Sequence, residues 1–278
     1  MQMWLLLRRG VVSQWRNTQY NGMRFGIAFA LPWILGSLYW GRGKERNSMV
    51  GLMDIMGVIF SGALFLPMTN LMMIMPQVMN ERVVFYRERA SGMYSPVVFA
   101  AVQSMSEMPF VFLESVLYVV IMYCTVQFEF TAAKALWFWL YIWFALLVCT
   151  FMGMGFMNLS PNMPAAIASC SGLVLLWNLF CGFLIYRRDI KPWYLWAYYG
   201  NPITYIIYGC IITQLGDVWD EQVELGEGLA MPVAAFVKEN FDYDYGMRGW
   251  MVLILVGFVA LLRIASYFGI IRLNFVNR

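Results

Sequence analysis

Six apolar stretches alternate with polar ones along the chain: Gly22–Trp40, Val50–Met75, Met108–Val126, Ala132–Met157, Ala165–Tyr186 and Gly249–Ile271. About 20 apolar residues in helical form cross a hydrocarbon core, so the pattern predicts six transmembrane helices in one all-α domain over residues 1–278. An amphipathic stretch comes first. Trp4, Leu5, Leu6, Leu7, Val11, Val12 and Trp15 can share an apolar face, with Arg8, Arg9 and Arg16 turned toward phosphates. That predicts a helix lying in the membrane interface. Gly22 and Gly26 form a GxxxG spacing, which Arg24 inside it weakens as a packing signal. Arg24 lies near the start of its span and is expected to snorkel out.

Between the second and third spans lies Asn80–Ser95, NERVVFYRERASGMYS, in which Glu81, Arg82, Arg87, Glu88 and Arg89 are charged. Ions keep their hydration only outside the hydrocarbon. The segment is therefore a solvated connector or a docking surface for an aqueous partner.

Polar residues also break into the apolar stretches. Gln103, Glu107, Phe110 and Glu114 fall on one helical face. Two carboxylates there are costly unless they meet a cavity, a partner or the interface. Pro109 predicts a kink or the true start of the third span. Arg263 lies about 13 Å inside the last span at helical rise, deep but within reach of snorkelling. Phe65–Met75 is rich in Met, which suits either an adaptable surface for apolar ligands or ordinary core filling. Asn158–Pro164 reads as a tight turn, and the sequon at Asn158 is discounted because Pro161 follows it. Lys191–Gln214 is aromatic but broken by Gly200, Asn201 and Pro202, so it predicts one or two helices dipping into the interface. Asp217–Asp244 reads as a solvated acidic loop. Its Asp217, Asp220, Glu221, Glu224 and Glu227 lack an EF-hand pattern.

Composition agrees with a membrane protein: 61% of the 278 residues are hydrophobic and 13% charged, against about 25% charged in soluble domains. Twelve Trp and sixteen Tyr suit interfacial belts. A net charge of +3 without a basic run gives no sign of nucleic acid. The absence of His removes His-ligated metals and Ser-His-Asp triads. Five Cys without CxxC spacing read as small core residues. The N-terminal order of apolar and charged residues is the reverse of a signal peptide. There is no GxxxxGK[ST] loop, no GxGxxG opening a helix and no nucleophile–base pair, so no catalytic site is expected. Six spans put both termini on one side. Nine basic residues fall on each side, but five of those opposite the termini belong to a loop near the length at which charge counting fails. The remainder favours cytoplasmic termini.

The segment NERVVFYRERASGMY closely resembles the ERxVFYRERAxGMYS signature of ABC transporters of subfamily G, pleiotropic drug resistance type. Trp15–Tyr20, WRNTQY, is similar to that family's WRNPQY, with Thr18 in place of Pro. Glu107-Met108-Pro109-Phe110 matches E-[IL]-P-[YF]. Asn201-Pro202, Tyr208-Gly209 and Gln214-Leu215-Gly216-Asp217 resemble NPxxWxxYGxxxSQFGD, and Leu273-Asn274-Phe275 its closing LNF. The match is to the second membrane domain of such transporters.

The resemblance implies an ABC type-2 membrane domain with an N-terminal elbow helix and re-entrant helices before the last span. It implies ATP-driven export of hydrophobic or amphipathic molecules or lipids by alternating access, with a plasma-membrane location. No cofactor is expected in this chain. ATP and Mg belong to partner nucleotide-binding domains, and a second transmembrane domain and membrane lipid complete the assembly. Glu81, Arg82, Tyr86, Arg87, Glu88 and Arg89 become candidates for coupling to the ATPase. Phe65, Thr69, Asn70, Met73, Ser171, Leu175 and Asn178 become candidates for the substrate path, with Phe183 and Leu184 as exit plug. Arg263 departs from the apolar residue expected there, and pairing with Glu107 or Glu114 would explain it. The alternative is a stand-alone channel or secondary transporter using those carboxylates as a membrane-buried site.

Overall fold

Ten α-helices follow one another in the computed structural model, which describes residues 2–224, 230–273 and 275. They are α1 Gln2–Arg16, α2 Thr18–Leu38, α3 Met49–Ala90, α4 Pro96–Val126, α5 Ala132–Leu159, α6 Met163–Leu179, α7 Leu195–Tyr199, α8 Pro202–Leu215, α9 Val233–Phe241 and α10 Arg248–Arg272. A two-stranded antiparallel ribbon, β1 Gln222–Glu224 and β2 Ala230–Pro232, precedes α9. Glu227, Asn274 and Arg278 lie outside the described residues.

Among the described residues, four segments are long and apolar enough to cross a membrane: α3, α4, α5 and Tyr245–Arg272, which contains α10. Helix α5 is central and packs on α3, α4, α8 and α10. Close approaches need glycine. A Cβ on Gly153 of α5 would lie 2.7 Å from the carbonyl of Leu71 on α3, and one on Gly209 of α8 would enter the Tyr141 ring. Gly22 and Gly26 make no such approach, since a Cβ on either would meet nothing. The GxxxG spacing therefore does not pack α2.

Short polar residues set the helix starts, as their side chains replace missing backbone partners. Asn17 accepts from Tyr20 N at 3.2 Å and opens α2 well before Gly22. Ser95 accepts from Val97 N with Pro96 at the first turn. Asn162 accepts from Ala165 N at 3.1 Å. Asn201 accepts from Ile203 N at 3.0 Å and donates to the Trp177 carbonyl at 2.7 Å, joining α6 to α8.

Four expectations are corrected. The charged segment is not a connector throughout: α3 continues unbroken to Ala90, and the turn is confined to the next few residues, with Gly92 at φ +70°. Pro109 neither starts nor ends a helix, because α4 begins at Pro96. The fifth apolar stretch is helical only to Leu179; Gly182, at φ +83° against Tyr198, turns the chain. Lys191–Gln214 holds two helices, α7 and α8, and α8 is packed against protein, with Ile207, Cys210, Ile211 and Ile212 fully enclosed. The acidic segment is no simple solvated loop. Val223, Val233, Phe236, Val237 and Phe241 are buried in the same core as α8, because an apolar face outweighs the acids around it.

Candidate functional site

Four helices contribute to one buried charge network centred on a guanidinium. Arg24 comes from α2, and Glu107 and Glu114, two turns apart on α4, face it. Arg24 Nη1 donates to Glu107 Oε2 at 2.7 Å and Nε donates to Glu114 Oε2 at 2.8 Å. All three side chains are fully buried. Helix α3 adds Asn70, whose Nδ2 donates to both oxygens of Glu114 at 2.7 Å. Helix α1 adds Gln14, whose Nε2 donates to Glu107 Oε1 at 2.6 Å. The Tyr20 ring lies 5.2 Å from the guanidinium carbon. Isolated charges could not stay here; each is held by an opposite charge and several donors. Arg24 does not snorkel, because the carboxylates come to it.

Arg263 does not pair with either glutamate. Its Nη2 donates to the Ala100 carbonyl at 2.6 Å, Nη1 lies 3.6 Å from Met154 Sδ, and its guanidinium sits 5.0 Å from the Phe151 ring centre. The aromatic face and the carbonyl dipole supply the negative potential instead. Ala100 is in the second turn of α4, so Arg263 lies near the end of the bundle that carries the charged segment.

The α3 residue next to Asn70 faces elsewhere. Phe65, Thr69 and Met73 line an open groove of about 540 Å3, together with Met68, Met72 and Val174 of α6. Asn70 lies behind this wall, in the charge network. Ser171 and Leu175 are exposed on α6 outside the groove lining, Leu175 at 74%. Asn178 Nδ2 lies 3.7 Å from Met68 Sδ, beside the groove. Phe183 stacks on Phe60 at 4.5 Å, while Leu184 is exposed. Val174 lines the same groove; as one apolar residue among many in its helix it carries no signal in the sequence.

The charged end of α3 is clamped. Arg82 donates to the carbonyls of Met157, Ser160 and Pro161 at 2.8, 2.7 and 2.9 Å, closing the C-terminal end of α5. Arg89 donates to the carbonyls of Ile270 and Ile271 at the end of α10, at 3.2 and 3.4 Å. Glu88 accepts both terminal nitrogens of Arg9, at 2.7 and 2.8 Å, and the Tyr94 hydroxyl at 2.6 Å. Glu81 accepts from Gln77 at 2.9 Å. Tyr86 is half-buried and its hydroxyl accepts from Phe275 N. Arg87 is exposed. Asn158, the discounted sequon, is buried and donates to Gln103 and Ser266.

At the opposite end of α3 a second ionic cluster forms. Lys134 Nζ lies 2.7 Å from Glu129 and 2.8 Å from Asp217; Arg46 lies 3.0 Å from Glu129 and 3.7 Å from Glu221. The Lys134 ammonium, with Arg46 adding to it, holds the Glu129 carboxyl below its usual range. Two of the acidic residues considered for a cation are thus spent on side-chain cations. No metal-holding group of His, Cys, Asp or Glu occurs among the described residues. All five Cys are free, and four are buried.

A family model described as ABC-2 type transporter matches residues 1–215. ABC transporter G family member 38 of Oryza sativa subsp. japonica is 36% identical over 266 residues, covering 96% of this chain and 18% of that protein. ABC transporter G family member 31 of Arabidopsis thaliana is 36% identical over 278 residues, covering 100% of this chain and 19% of that protein. Pleiotropic drug resistance protein 1 of Petunia hybrida is 36% identical over 266 residues, covering 96% and 18%. The chain therefore spans about a fifth of the length of these curated relatives.

Proposed function

The chain belongs to the ABC-2 type transporter family, and from that premise we propose that it is the membrane domain of an ATP-driven exporter of hydrophobic or amphipathic small molecules or lipids. ATP and Mg act on partner nucleotide-binding domains, and a second transmembrane domain completes the translocation path. Helices α2 and α6, with the turn after α6, join the four long apolar segments to make six crossings in a single domain. Both termini are cytoplasmic, and the membrane is the plasma membrane.

The observation that carries this function is the clamped end of α3. A helix running from Met49 to Ala90 is fastened there to α1, α5 and α10 through Glu88, Arg82 and Arg89. Force applied at its tip reaches three other helices and, along the same rod, the groove at Phe65, Thr69 and Met73. Tyr86 and Arg87 present the contact to the ATPase. Glu81, Arg82, Glu88 and Arg89 keep the tip rigid, so that rigid-body motion passes on rather than being absorbed. Asn178, Ser171 and Leu175 form the far wall of the path across the domain's open face. Phe183 and Leu184 close it above as an apolar plug. A largely apolar wall with few polar groups suits such cargo.

The test uses the full transporter in which this domain is joined to its nucleotide-binding domains. Arg87→Glu should leave ATP hydrolysis and substrate binding intact while abolishing ATP-dependent uptake into inside-out vesicles. Uptake at the wild-type rate would refute the coupling role. A channel or secondary transporter finds no support in the glutamates, because both are tied to Arg24.

A further inference from the structure

A separate cavity of about 390 Å3 lies between α1, the charged end of α3 and the start of α4. It shares no lining residue with the groove, and its size suits a small ligand. Leu6, Val84, Phe85 and Val102 give it apolar walls, and Glu81 gives it a carboxylate. Glu81 Oε1 accepts from Gln77 at 2.9 Å, and the side-chain amides of Gln14 and Gln103 each stand 3.5 Å from the carboxylate. Among the described residues no Arg or Lys forms a salt bridge with it. Its neighbours differ: Glu88 has Arg9, and Glu107 and Glu114 have Arg24. The lining carries one positive group, Arg9, already held by Glu88, and two negative ones. The cavity is left with one carboxyl that has no cationic partner, next to apolar walls. Three amides can orient that carboxylate, but none neutralises it. The Oε1 of Gln14, a residue 3% exposed, also lacks a partner.

We propose that this cavity binds an amphiphilic organic amine. Its ammonium donates to Glu81, and its hydrocarbon lies along Leu6, Val84, Phe85 and Val102. Charge decides the class. An anion would meet Glu81 and Glu88, and a neutral apolar molecule would leave Glu81 uncompensated. An alkylammonium matches both the wall and the charge.

The test is fluorescence titration of the full chain in phosphatidylcholine nanodiscs, without nucleotide. The probes are N-dansyl-diaminooctane, which carries an ammonium, and its uncharged counterpart N-octyl-dansylamide. The amine should bind saturably. Glu81→Gln should weaken it by about tenfold or more, as loss of a charge-assisted bond predicts, without changing the neutral probe. Val84→Trp, at a half-exposed wall position, should block the amine while Glu81 remains in place, which covers the case in which the Gln variant misfolds. Competition by phosphatidylethanolamine in the disc would assign the natural ligand to a lipid amine, and its absence to a free amine. Equal amine binding by the wild type and Val84→Trp, or by the wild type and a folded Glu81→Gln, would mean bilayer partition only and would overturn the proposal.

Discussion

The Nδ2 of Asn70 lies 2.7 Å from both carboxylate oxygens of Glu114, while Thr69, its neighbour on α3, faces the groove. One helix thus carries a buried structural contact and a groove-facing position side by side. Asn70→Leu should cost about 1–3 kcal/mol, the penalty for leaving a buried acceptor short of donors. Thr69→Ala should stay within about 0.5 kcal/mol and instead change which substrates compete for export. Thermal unfolding in detergent separates the two; equal losses would contradict the division.

Arg24 is the hub of the charge network, so removing it strands two carboxylates. Arg24→Met should destabilise the domain by about 3–5 kcal/mol. Replacing Arg24, Glu107 and Glu114 together by Met should cost less than the single change. Arg263→Glu should not be rescued by a basic residue at Glu107 or Glu114, since Arg263 contacts neither. Rescue, seen as restored expression and melting temperature, would reverse the assignment.

Arg82 closes the end of α5 with three carbonyl contacts. Arg82→Ala should lose about 1.5–3 kcal/mol, typical of bonds to a charged group. Arg82→Lys should recover only part, because an ammonium lacks the planar fork that spans separate carbonyls. Full recovery by Lys in chemical denaturation would show that charge alone suffices.

The cluster around Glu129 gives a pH signature. Its carboxyl titrates below the ordinary value of 4.5 because of Lys134 and Arg46. A lowered folded value means stabilisation that is complete above about pH 4.5 and fades as the pH falls through the folded value. Glu129→Gln should therefore be less stable than wild type at neutral pH and converge with it on acidification. A gap that stays constant down to about pH 3 would count against the ion pairs.

Gly153→Ala should cost about 1–3 kcal/mol through overpacking, because the added methyl meets the Leu71 carbonyl, which cannot swing away, as well as the Ile74 side chain. A substitution at Gly22, where space is open, should be neutral. Melting temperatures of the two variants in the same detergent make the comparison.

Hydrophobic runs and the charged stretch told which segments are helical spans and which carry ions. These are local properties, set by the cost of dehydrating charge and backbone. Phe65, Thr69 and Met73 became path candidates only through the family resemblance; that they share one groove was decided by packing. Partners were not legible. Arg24 and Arg263 each stand as a single arginine within an apolar stretch, and nothing along the chain says which one Glu107 and Glu114 will meet. Packing decided it, by setting α2 against α4 at the depth of both glutamates and α10 against the first turns of α4. Likewise the length of α3 beyond Met75 looked like a loop because it is charged. It stays helical because Arg82, Glu88 and Arg89 find their partners on three other helices, and that compensation exists only once those helices are in place.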